Sequence, residues 1–132
     1  MGCRFEFDPV NRVLLLRTDG ALTDEVIADA YTAIRKHSIA TDARAGIWDF
    51  SGVTEFPVSS TRVQMLAKQE PAMPEASERP RIVVAPSTAG FGLARMFQLM
   101  GERVRPTLQV VRTLEEALAL LGVKSARFEP LE

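Results

Sequence analysis

The chain has 132 residues, 46% apolar and 25% charged, which suits one globular domain and excludes disordered, collagenous and coiled-coil chains. Sixteen basic side chains against seventeen acidic ones give a net charge of −1, so no cationic surplus exists to neutralise a nucleic-acid backbone. One cysteine, Cys3, and one histidine, His37, fall short of the roughly four ligands of a structural zinc site, and no run reaches the ~20 apolar residues of a membrane span.

Residues 3–7 alternate and stop at Asp8-Pro9, which predicts a short strand and a turn. Residues 12–17, with Val13 to Leu16 at their centre, predict a buried strand closed by Asp19-Gly20. The short gap between the two predicts an antiparallel hairpin. Thr23 reads as a helix N-cap, with Asp24 and Glu25 in the first turn, where the helix dipole favours acids. Leu22, Val26, Ile27, Ala30, Tyr31 and Ile34 keep one apolar face, and the helix is expected to end near Lys36-His37, where positive charge is favoured.

Residues 45–53 predict a central strand ending at Ser51-Gly52. Ser59, Ser60 and Thr61 are cap candidates for a second helix, and Thr61 with Gln64 has capping-box spacing. Residues 69–80 carry Pro71, Pro74 and Pro80 among three glutamates and predict an exposed, mobile loop. Residues 81–85 form a fourth strand, 89–102 a third helix and 108–111 a fifth strand. Thr113 to Glu116 is a capping box opening a last helix through Leu121, with Gly122 after it. This alternation predicts an α/β domain: a mixed sheet of about five strands, mostly parallel after the hairpin, with about four helices.

The element order, two strands and then alternating helices and strands, resembles the STAS domain. That is the fold of bacterial anti-anti-sigma factors and of the cytoplasmic tails of sulfate transporters. Ile47 to Val53 (IWDFSGV) is similar to the family's central strand, and Phe56 to Thr61 (FPVSST) falls where such factors carry an apolar pair and D-S-S-G. Residues 85–97 and 112–117 resemble small bacterial STAS-like proteins, which are also grouped loosely with lipid-transfer domains of the CRAL-TRIO type. The resemblance implies a regulatory module acting through protein partners. It also implies Ser60 as the counterpart of the serine that a partner kinase phosphorylates. Val58 stands where the family has aspartate and Thr61 where it has glycine, which removes part of that switch surface.

Each candidate site has two readings. A phosphate on Ser60 would meet free amides at a helix N-terminus; the same hydroxyls also serve as ordinary caps. Ser87, Thr88, Gly90 and Gly92 follow a strand and open a helix, where open α/β sheets bind ligands, or they cap and pack that helix. Asp49 is either a functional carboxylate at that edge or a holder of the next loop. Phe91 and Arg95 fall on the helix face opposite Leu93, Met96 and Met100, so Phe91 is either a partner surface or tucked into the core. His37 would have to meet Ser60 and Asp49 to build a catalytic triad, and nothing in the spacing brings it there.

Three functional classes follow. The first is a non-catalytic interaction module, working with a protein partner or a second copy of itself, with no metal and no cofactor. The second is a carrier of a small apolar ligand, with Met65, Met73, Met96 and Met100 lining a pocket under the proline loop. The third is an enzyme, for which no paired acid and base is evident. The missing signal core in MGCRFE and the unpaired cysteine predict a cytoplasmic protein without membrane insertion.

Overall fold

The computed structural model describes residues 2–131. Six strands form one sheet: β1 (Cys3–Asp8), β2 (Val13–Ala21), β3 (Ala45–Glu55), β4 (Arg81–Val84), β5 (Leu108–Val111) and β6 (Glu129–Pro130). Their order is β5-β4-β3-β2-β1-β6. β2 to β5 are mutually parallel, and β1 is antiparallel to both β2 and β6. Four helices connect them: α1 (Asp24–Thr41), α2 (Ser60–Lys68), α3 (Thr88–Met100) and α4 (Leu114–Leu120).

Alternation along the strands separates two apolar faces. Val13, Leu15, Ile47, Ile82 and Val84 share one face, and α4 covers it through Leu114, Ala117 and Leu118. The other face carries Phe5, Leu14, Leu16, Trp48 and Val83, and is covered by α1, α2 and α3. α2 and α3 approach closely at Gly101, where an added Cβ would lie 2.8 Å from the Ala67 carbonyl oxygen.

Several boundaries differ from those expected. Asp19-Gly20 does not close β2; the strand continues to Ala21 through register shifts against β3, with Gly20 at φ +80°. This is an irregular strand that only glycine adopts without strain. β3 likewise runs past Ser51-Gly52 to Glu55. α1 continues past His37 to Thr41 and ends on Asp42 in the left-handed conformation, with no basic residue in its last turn. The positive charge comes instead from outside the helix, because Arg12 donates to the Asp42 carbonyl at 2.6 Å and pairs with its carboxylate. That guanidinium holds the Asp42 carboxyl below its ordinary range. β6 is a sixth strand that two residues of chain gave no periodicity to reveal.

Residues 69–80 are exposed at six of their twelve positions, as expected, but the segment is also anchored to the rest of the chain. Pro71 is buried, as is Ala76 in the 3-10 turn Pro74–Ala76. Arg81 donates to the carbonyls of Met73 (2.8 Å) and Ala76 (3.1 Å), and Arg79 to that of Ala43 (2.6 Å). Proline supplies few backbone donors, so arginine side chains reach the loop's carbonyls instead.

Candidate functional site

The N-terminus of α2 is capped by Ser59, whose Oγ accepts from the Arg62 amide at 3.1 Å. The expected Thr61–Gln64 capping box is therefore not the cap. The helix starts two residues earlier, which leaves the hydroxyls of Ser60 and Thr61 exposed and without a hydrogen bond among the described residues. Ser59→Ala should cost about 1 kcal/mol of stability and Ser60→Ala almost nothing. Urea denaturation of the two variants checks this, and equal losses would contradict it.

Ser87 caps α3, with Oγ accepting from the Gly90 amide at 3.0 Å, and Thr88 is exposed beside it. Gly90 lies against Phe56: an added Cβ would stand 2.5 Å from the ring. The segment is thus a cap and a packing point. Phe91 does not form an open partner surface. Its ring is half-buried in the cluster of Val83, Ala85 and Leu108, and the Arg112 guanidinium lies 4.1 Å above it. Arg95 is exposed and donates to Gln98 Oε1.

Asp49 is 4% exposed, on the α4 side of the sheet. Its carboxylate takes Arg17 Nη1 at 3.1 Å and the Ser51 amide at 2.9 Å. Arg17 also reaches Glu6 at 3.1 Å, so β1, β2 and β3 are joined by a row of Glu6, Arg17 and Asp49. This satisfies a buried carboxylate and gives it a structural part. His37 is on the other side of the sheet, its ring 4.4 Å from that of Phe5. Burial, with Lys36 adding to it, pushes its pKa down. Among the described residues no hydrogen bond joins His37 to Ser60 or Asp49, and the triad does not assemble.

A cavity of about 140 Å³ opens between α1, the sheet, and residues 71–80. Leu14, Leu16, Ile34, Trp48 and Val83 give it apolar walls, and Arg81, Arg105 and Tyr31 line it as well. Of the four methionines expected to build a pocket, only Met73 reaches it; Met65 and Met100 are exposed at 53% and 42%. The chemistry-bearing residues here, Arg81 and Arg105, carried no motif. Arg105 sits in an ordinary charged connection, and only packing shows that it is 5% exposed.

No family model matches the chain, and no curated protein matches it in sequence. Solved structures similar to it include two anti-sigma factor antagonists. The anti-sigma factor antagonist SpoIIAA in its unphosphorylated form matches at TM-score 0.59 and 18% identity, over 92% of this chain and 99% of that one. An anti-sigma factor antagonist from Mycobacterium paratuberculosis shows 21% identity at TM-score 0.49, over 83% and 86% of the two chains. The chain has a STAS-like fold. In this fold the exposed serine pair opens α2, and α2 packs on α3. No helix among the described residues is long and apolar enough to cross a membrane.

Proposed function

We propose that the chain is a non-catalytic regulatory module that works by binding a protein partner through the start of α2 and the neighbouring face of α3. The observation that carries this reading is the likeness to SpoIIAA, an anti-sigma factor antagonist, over 92% of this chain. Two features of the surface support the location. Ser60 and Thr61 present free hydroxyls at the N-terminus of a nine-residue helix, a place where a phosphate would be welcomed by backbone amides. Met65 on α2 and Leu99 and Met100 on α3 are large apolar side chains left exposed on adjacent helices. The partner is a cytoplasmic protein or a second copy of this chain. Ser87, Thr88 and Arg95 form the α3 part of the same surface.

Ser60→Asp places a carboxylate where the phosphate would stand. The variant is expected to change the set of proteins retained from a lysate of the native host by at least several-fold, while Ser60→Ala leaves it as in the wild type. Identical retention by both variants and the wild type would overturn the switch role of Ser60. Light scattering of the purified chain separates the two kinds of partner, since a self-partner doubles the mass.

A further inference from the structure

The cavity beside the proline loop has a charge imbalance. Three arginines line it, Arg79, Arg81 and Arg105, and no aspartate or glutamate among the described residues does. Arg105 is almost fully buried; it donates to the Ala67 carbonyl and the Tyr31 hydroxyl, each at 3.0 Å, and lies 4.6 Å from the centre of the Phe97 ring. Those contacts employ two of its five N–H groups. Arg81 spends one nitrogen on the loop carbonyls of Met73 and Ala76. The acids nearest Arg81 in charge, Glu75 and Glu78, are exposed; Glu75 pairs with Arg35 at 3.1 Å, and among the described residues neither forms an ion pair with Arg81. Burial, and then the charge of Arg105, hold the Arg81 pKa below the usual guanidinium range. A third arginine on the wall, Arg79, has its own carboxylate in Asp42 at 3.4 Å.

Buried charges in folded proteins are paired or hold a ligand. Arg105 is such a charge, Arg81 on the same wall is half-buried with only carbonyl partners, and an anion completes the arrangement. The remaining walls are apolar, and a second void of about 80 Å³ shares Tyr31, Trp48, Val83 and Phe97 with the first. We propose that this cavity binds a small carboxylate with an apolar body, its carboxylate on Arg81 and Arg105 and its body against Leu16, Ile34 and Trp48. The planar fork of a guanidinium matches a carboxylate in two parallel hydrogen bonds. The volume is close to that of a dry apolar cavity of about 150 Å³ that admits a benzene ring.

Trp48 is the one tryptophan of the chain and lines both voids, so its fluorescence reports occupancy. Benzoate and hexanoate are titrated into the full chain by calorimetry and Trp48 emission, with benzamide and hexanamide as neutral counterparts of the same shape. Saturable binding of the acids, at least roughly tenfold tighter than of the amides, is expected from paired charge-assisted hydrogen bonds. Arg81→Gln should remove that preference while leaving the amides unaffected. Arg105→Lys, which keeps a cation but loses the fork, should weaken the acids. Both variants are first checked by thermal melting. No saturable binding by the wild type would overturn the proposal. So would equal affinity for acid and amide, which marks a purely apolar hole, or a preference that survives in a folded Arg81→Gln. The wild-type comparison stands even where a variant fails to fold. Binding by Ser60→Asp at wild-type affinity is expected, because the α2 surface and this cavity are separate sites.

Discussion

Asp8→Ala is expected to destabilise the chain by about 2 kcal/mol, because it removes the acceptor of four part-buried hydrogen bonds. Asp8 is 1% exposed and closes the β1–β2 turn. Its carboxylate accepts from the amides of Val10 and Asn11, each at 3.0 Å, and from Asn11 Nδ2 at 2.8 Å. It also accepts from the Arg127 amide at 3.1 Å, which pins the C-terminal segment to the hairpin. Burial alone pushes this carboxyl upward; the hydrogen bonds from Asn11, Arg127 and Val10 outweigh it and hold the pKa below its ordinary value. A depressed folded-state pKa has a definite sign in pH dependence. The stabilisation is fully present above the unfolded value near ~3.9 and drains away as the pH falls through the folded value. Denaturation curves between about pH 2 and 7 check both parts. The wild type should lose stability below about pH 4 more steeply than Asp8→Asn, whose amide does not titrate in that window. Parallel pH profiles of the two would show that Asp8 contributes nothing through its charge.

Arg17→Met is expected to cost about 2–3 kcal/mol, close to the effect of removing one member of a buried ion pair. The side chain of Asp49 is 4% exposed and that of Glu6 16%, whereas Arg17 is 30% exposed, so solvent softens the loss. The methionine keeps most of the packing, so the cost arises from two carboxylates facing each other without their cation. A second substitution separates this cause from lost packing. Asp49→Asn retains an oxygen for the Ser51 amide and removes the charge. The pair Arg17→Met with Asp49→Asn should recover at least about half of the stability lost by Arg17→Met alone. Urea midpoints for the four chains of this cycle supply the answer. A double variant as unstable as the single one would assign the loss to packing.

The parts of the fold that the residues announced are those set within a few positions of one another. Thr23 caps α1 by accepting from the Val26 amide at 3.1 Å, and Thr113 with Glu116 forms the capping box of α4. Apolar runs at Val13–Leu16 and Ile82–Val84 became interior strands of the sheet, and the antiparallel hairpin formed as its short gap required. The misplaced boundaries share a different cause. β2 continues through Asp19-Gly20 because β3 lies beside it to receive hydrogen bonds, and α1 ends where Arg12 meets Asp42. β6 exists because β1 offers it an edge. Each depends on a partner far along the chain, which no local pattern records.

The candidate residues divide in the same way. Ser87 was legible as a cap, since a cap is a matter of three residues, whereas for α2 three adjacent hydroxyls left the choice open and the structure selects Ser59 over Thr61. Phe91 was open between surface and core, and Arg112 of another segment decided it. Arg81 and Arg105 drew no attention, because an arginine near a strand or in a turn is ordinarily solvated.

By itself, then, the sequence determined the alternation of strands and helices and the caps of α1 and α4, because periodicity and capping act over a few residues. The tertiary structure alone decided which charged groups lost their water. Arg17 meets Asp49 across 32 positions and Arg105 meets Tyr31 across 74. Burial of a charge is the outcome of every element that closes around it: the sheet set Arg17 between Glu6 and Asp49, and the sheet with its helices and proline loop placed Arg105 on the wall of the cavity.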